Sequence, residues 1–313
     1  MKGLELSEAF FDEYGKPMLE REFPELLPFL AVGLFGSGSE CFGFDDEVSQ
    51  DHDFEPGFCI FLPGEELVNR RSAFLLERAY AKLPKSYLGF QREIMLPVGG
   101  ARHGVLRTDE FFLKTAGTAD GKLSLQQWLT IPEEALAEAT NGKVFVDHFG
   151  EVSEIRRSLA GFPEDIRLKR LAGHLLLMAQ AGQYNYQRCI SHGETAAAQM
   201  AVYEFAKSTL SCIFLLNQRY QPYYKWAFRA VRELPILSQL ADPLEYLLTT
   251  PNQSEMIQNK EKSIEEISAA VIQRLKATSM TRVGGEELER HAYSVNDRIQ
   301  NPEVRNMHIL SAV

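Results

Sequence analysis

The stretch from Gly33 to Phe61, GLFGSGSECFGFDDEVSQDHDFEPGFCIF, limits what this chain can fold into more than any other. An apolar run from Leu27 to Leu34, broken only by Pro28 and Gly33, feeds a glycine–serine turn, Gly36-Ser37-Gly38-Ser39. Phe44 and an acidic loop follow, then Asp51-His52-Asp53 and a second apolar run ending near Leu62. Aspartates at i and i+2 of an extended segment share a face, and His52 between them takes the other. Two carboxylates on one face repel each other unless a cation lies between them, and hard oxygen ligands suit Mg²⁺. A glycine–serine turn offers backbone N–H groups to a phosphate with no side chain in the way. Gly36 and Ser37 supply a second register for the Gly38-Ser39 pair, and Gly43 lets the loop fold back. Asp45, Asp46 and Glu47 read as a solvated acidic loop.

The same residues resemble the signature of the DNA polymerase β-type nucleotidyltransferase superfamily: Gly38-Ser39-x-x-x-Gly43, then Ser49-x-Asp51-x-Asp53. The longer pattern GSGSExFGxDDExSxDHDxxxG, ahead of a helical half, is similar to an uncharacterised bacterial branch of it, described as a domain of unknown function. The resemblance implies that Gly38 and Ser39 bind a triphosphate and that Asp51 and Asp53 hold Mg²⁺. The activity it implies is transfer of a nucleoside monophosphate, AMP from ATP in the first instance, to a hydroxyl with release of pyrophosphate. The expected partners are the nucleoside triphosphate and a small-molecule acceptor, with a protein hydroxyl second. The competing expectation is a catalytically inactive protein that binds nucleotide or a regulatory partner.

That competing expectation comes from the third carboxylate of the superfamily, which has no clear place here. Glu93, Asp109 and Asp147 are candidates. Glu164 and Asp165 are others, by analogy with aminoglycoside nucleotidyltransferases, whose second domain contributes a glutamate. An acidic first helical turn after Pro163 would account for Glu164 and Asp165 equally well. In Tyr223-Tyr224-Lys225-Trp226-Ala227-Phe228-Arg229, Lys225 and Arg229 are four apart on one helix face among aromatics. They suit a triphosphate, while the helix would equally be a core helix with snorkelling cations. Lys207-Ser208 and the polar run Gln183 to Arg188 are weaker acceptor-binding candidates.

Composition excludes several classes. The net charge of −10 argues against a general nucleic-acid binder. Met1 to Glu66 holds sixteen acidic residues against three basic, whereas Arg156 to Arg229 holds ten basic against four acidic. Cys41, Cys59, Cys189 and Cys212 form no CxxC pair, so neither zinc nor a disulfide framework is expected. The histidines show no HExxH spacing, and no Gly-Lys-Ser/Thr completes a Walker loop. With no basic-then-apolar leader and no apolar run of about 18 residues, a cytoplasmic protein is expected.

The pattern predicts an α+β chain. A small mixed-sheet domain over residues 1–150 is followed by an all-α bundle over 151–313. Ser7 opens a helix carrying Phe10, Phe11, Tyr14 and Met18, which ends at Pro24. A second helix runs from Gly64 to about Leu83, with Leu67, Phe74, Leu75 and Ala79 inward. A short segment at Val105 to Thr108 leads into a helix beginning at Asp109. Asn141-Gly142 marks a turn before a last strand, Lys143 to Asp147. Beyond Glu151 the pattern is helical, with breaks that include Gly182 to Tyr186, and the closing 301–313 either docks or stays loose.

Overall fold

The computed structural model describes residues 1–48, 54–92 and 103–313, which fall into two compact units. Unit 1 comprises Met1–Ser124 and Ile131–Ala160, and unit 2 comprises Leu125–Thr130 and Gly161–Val313. The architecture is α+β, with a small mixed sheet in unit 1 and a helical C-terminal region.

Unit 1 opens with helix α1 (Gly3–Phe10), a π-helical turn (Phe11–Gly15) and α2 (Lys16–Glu22). Strand β1 (Ala31–Leu34) leads to the one-turn helix α3 (Ser39–Phe42), then β2 (Cys59–Leu62) and α4 (Arg70–Ala81). A two-strand ribbon, β3 (Ser86–Tyr87) with β4 (Phe90–Gln91), precedes β5 (Gly104–Arg107) and α5 (Thr108–Ala116). Helix α6 (Leu125–Thr130) belongs to unit 2, and α7 (Glu133–Thr140), β6 (Lys143–Asp147) and α8 (Glu151–Leu159) return to unit 1. The four-strand order is β5-β2-β1-β6, with β1 antiparallel to both neighbours and β2 parallel to β5.

Alternation along β2 divides the apolar residues between two faces. Ile60 and Leu62, with Phe58 just ahead of them, pack on Phe10, Phe11, Met18, Leu19 and Leu76. Phe61 stacks on Phe35 at 4.6 Å and meets Phe111 edge-on at 5.2 Å. Helix α4 presents a different face from the one its pattern suggested. Leu76, Ala79 and Tyr80 are buried, while Leu67, Phe74 and Leu75 are exposed. The Tyr80 hydroxyl decides this face, because it donates to the Phe58 carbonyl at 2.8 Å and accepts from the Phe58 N–H at 3.1 Å. A buried Phe58 N–H left without that acceptor would cost more than the exposure of apolar side chains at the surface.

Unit 2 is built around α9 (Glu164–Met178), which is buried over most of its length. The expected break at Gly182 is instead a π-helical continuation (Ala179–Tyr186) into α10 (Gln187–Ser191). The remaining helices are α11 (Thr195–Leu216), α12 (Tyr224–Arg232), α13 (Ala241–Thr249), α14 (Ser254–Ala277), α15 (Leu288–Asn296) and α16 (Pro302–Asn306). The C-terminal segment docks. Buried Lys169 donates to the Arg305 and Met307 carbonyls at 3.5 and 2.7 Å, and Ile309 and Ala312 are buried. Among the described residues no helix is long and apolar enough to cross a membrane.

Candidate functional site

The glycine–serine turn leaves the end of β1 and is braced from behind. The Asn141 side chain grips Gly36 on both sides, accepting from its N–H at 2.9 Å and donating to its carbonyl at 2.8 Å. Gly142 donates to the Cys41 carbonyl at 2.8 Å. Its φ is +60°, and a Cβ there would run into the carbonyl oxygen of Leu34, so position 142 requires glycine. Arg156, on α8, donates to the carbonyls of Ala139, Thr140 and Asn141 and lies 4.4 Å over the Phe35 ring. Burial lowers its pKa to about 10. Gly36 and Gly38 take φ of +122° and +127°, values that suit glycine alone. Ser37 is exposed and Ser39 half-buried, so the two serines stand toward solvent while the glycine backbone is packed. Asn141, Gly142 and Arg156 were not among the expected site residues. The Asn-Gly pair carried a signal, which read as a turn and not as a brace.

Register then sorts the acids. Leu34 pairs with Lys143, Gly33 with Cys59, and Cys59 with Gly104, so these residues share the sheet end from which the turn emerges. Ala31, Leu62, Arg107 and Asp147 mark the opposite end. Two candidates for the third carboxylate are therefore at the far end. Asp147 accepts from the Gly150 and Ser153 N–H groups, both at 2.7 Å, and fastens the start of α8. Asp109 lies beyond β5 in the first turn of α5. Near them burial raises the pKa of Glu151, with Asp109, Asp147 and Glu66 adding to the effect. Asp51, Asp53, His52 and Glu93 lie outside the described residues.

Asp45 departs from its expected solvated position. Its carboxylate is buried, accepts from the Gly3 N–H at 2.8 Å and lies 3.6 Å from the Lys2 ammonium. It ties the N-terminus to the acidic loop. Asp46 and Glu47 are exposed.

The turn opens on a cavity of about 560 Å³ within unit 1, whose walls include Gly36, Ser37, Glu40, Phe111, Lys114 and Glu138. That volume lies in the usual range of small-molecule sites. Arg107, also at its wall, donates to the Pro63 and Val68 carbonyls. Among the described residues no group of three or more His, Cys, Asp or Glu is placed to hold a metal ion.

The other expected residues belong to unit 2. Glu164 accepts from Arg167 at 2.7 and 2.9 Å, and Asp165 accepts from the N–H groups of Gln300 and Asn301. Lys225 and Arg229 are exposed on α12, Lys225 lying 5.9 Å from the Trp226 ring, with Tyr223 and Tyr224 4.3 Å apart beside them. Ser208 is buried and donates to Glu204, whereas Lys207 is exposed. Gln183 is a brace within the unit, donating to Glu265 and the Glu286 carbonyl and accepting from the Leu288 N–H.

Residues 128–227 match the family described as Domain of unknown function (DUF4037). The match runs from α6 into the start of α12 and leaves the Gly33–Phe61 stretch outside it. It does include Asn141, Gly142 and Arg156, which brace the turn. No curated protein matches the chain.

Proposed function

We propose that this protein is a Mg²⁺-dependent nucleotidyltransferase that moves a nucleoside monophosphate, AMP from ATP, onto a hydroxyl of a small molecule. The observation that carries this reading is the braced turn with two positive-φ glycines at the end of β1, opening on a cavity of nucleotide size. The turn offers backbone N–H groups and the Ser37 and Ser39 hydroxyls to phosphate oxygens. Asp51 and Asp53, spaced for one face and followed by β2, would hold the metal. The donor chemistry fits: the acids are oxygen ligands, and nearby Cys41 directs its thiol to the Ser37 carbonyl. Bound Mg²⁺ supplies charge neutralisation on the phosphates. The acceptor oxygen attacks the α-phosphorus, the bond to the bridging oxygen breaks, pyrophosphate leaves, and a carboxylate takes the acceptor proton. This reading stands on unit 1 alone and does not require Glu164, Lys225 or Arg229.

The test is pyrophosphate release from each nucleoside triphosphate with Mg²⁺ and fractionated metabolites. Activity is expected in at least one fraction, with Asp51→Asn and Asp53→Asn each reducing it about a hundredfold or more. A second reading, a nucleotide-binding protein without catalysis, draws on Asp147 being engaged at the far end of the sheet. It predicts nucleotide binding without pyrophosphate. Inorganic phosphate in place of pyrophosphate would point to a hydrolase.

A further inference from the structure

The cavity beside the glycine–serine turn is walled by helices of unit 1, and its charge is lopsided. On α4, Ala73 and Glu77 line it one helical turn apart, and Glu134 and Glu138 do the same on α7. On α5, Glu110 and Lys114 flank Phe111, whose ring lies against the turn: a Cβ added at Gly36 would be 3.6 Å from it. Glu40, on α3, lines the cavity as well and is buried. Among the described residues the walls thus carry five glutamates against Lys114 and Arg107. The Arg107 guanidinium is directed to the Pro63 and Val68 carbonyls. Glu77, Glu110 and Glu134 enter no ion pair among the described residues.

Walls of this kind attract a cation and repel an uncompensated anion. The five carboxylates come from four helices and do not converge, since among the described residues no group of three or more acids is placed to hold a metal ion. Dispersed carboxylates suit a cation carried on a molecular frame better than a point ion that needs its oxygens gathered around it. Phe111 and Leu106 give such a frame an apolar wall. We propose that the cavity takes a protonated amine that also bears hydroxyl groups, and that this amino alcohol is the acceptor. Its role as acceptor rests on the nucleotidyltransferase reading. The donor phosphates lie at Gly36 and Ser37, and the ammonium lies among the glutamates. Surrounding carboxylates favour the charged form of the amine. An ammonium has no free electron pair, so a hydroxyl of the same molecule forms the bond to the α-phosphorus. That hydroxyl loses its proton to a carboxylate, pyrophosphate leaves, and the nitrogen keeps its proton.

Glucamine and sorbitol are the probes, because they share a polyol chain and differ by an ammonium in place of a hydroxyl. Each is titrated calorimetrically into the full chain at neutral pH and low salt. Glucamine is expected to bind about tenfold or more tightly than sorbitol. Glu77→Gln and Glu134→Gln should each weaken glucamine by about threefold, and Lys114→Gln should tighten it about as much. A gain of affinity in Lys114→Gln cannot come from damage to the fold. Glu25→Gln, at an exposed glutamate outside the cavity walls, should change nothing. Equal affinity for the two probes, or a loss in Glu25→Gln equal to that in the cavity variants, overturns the proposal. For the acceptor, the metabolite fractions of the pyrophosphate assay are divided on a cation exchanger. Release is expected with the retained, cationic pool. Release with the unretained pool alone overturns the proposal and leaves the nucleotidyltransferase reading intact. No release with either pool, while glucamine still binds through Glu77 and Glu134, overturns that reading and leaves an amine-binding cavity.

Discussion

At the scale of single residues, the least conspicuous lysine in the sequence is among the most constrained. Lys260 is fully buried, and its ammonium donates to Gln199 Oε1, the Thr250 carbonyl and Asn252 Oδ1 at 3.0, 2.9 and 2.7 Å. In the run QNKEKSIEE it reads as one more solvated charge. Yet the helical period of the buried residues Ile264, Ile267, Val271 and Leu275 extends back to position 260, so its burial was legible in the pattern, though its oxygen partners were not. Burial lowers its pKa from 10.5 to about 8. Between those values the unfolded chain binds more protons than the native one, so stability rises with pH through that window. Tyr186, in the same cluster, works the other way, because burial raises its phenol from 10.0 to about 12 and stability is lost as pH climbs above 10. Urea midpoints measured from about pH 7 to about pH 10 should therefore rise for wild type relative to Lys260→Met. At neutral pH the variant should also lose about 1–3 kcal/mol, since three oxygens each lose a donor. Parallel curves for the two proteins across that range would contradict this account.

At the scale of elements, the sequence supplied β1, the turn, β2 and β6, because each carries its signal locally in apolar runs, glycines and β-branched residues. It did not supply the meeting of Asn141 with Gly36, 105 residues apart in the chain. Hydrogen bonds between distant loops leave no periodicity to read. The same limit governs α4, where the run Ala73-Phe74-Leu75-Leu76 permits more than one inner face and Tyr80 selects one through Phe58. The candidate site was thus legible in its glycine–serine turn but not in the side chain that braces it. Asn141→Ala removes both hydrogen bonds to Gly36 and is expected to cost about 1–3 kcal/mol. Gly142→Ala, at a positive φ and against the Leu34 carbonyl, should cost at least about as much. Both should weaken binding of a triphosphate more than they lower the midpoint of chemical denaturation would explain. Calorimetric titration of ATP at a temperature where each variant is fully folded checks this, and unchanged affinity would separate the brace from the site.

At the scale of the whole molecule, the chain crosses from one unit to the other three times, after Ser124, Thr130 and Ala160. The six residues of α6 are therefore a strap contributed to unit 2 from within the sequence of unit 1. Locally they are only Leu125 to Leu129 ahead of Ile131-Pro132, and nothing in that pattern names a partner. Arg170 closes the strap by donating to the Trp128 and Leu129 carbonyls at 3.2 and 3.3 Å, while its guanidinium lies 4.7 Å from the Phe162 ring. Trp128 is buried and meets Phe162 edge-on at 5.9 Å. Both tryptophans of the chain, Trp128 and Trp226, belong to unit 2, so indole fluorescence reports on that unit. In a Trp226→Phe background, Arg170→Ala should shift Trp128 emission to the red in native buffer, because losing the guanidinium unpairs the last carbonyls of α6 and exposes the indole. The fluorescence midpoint in urea should fall by an amount corresponding to about 1–3 kcal/mol. A lower midpoint with unshifted native emission would mean that packing against Phe162 holds the strap without Arg170, whose contribution would then be general stabilisation of α9.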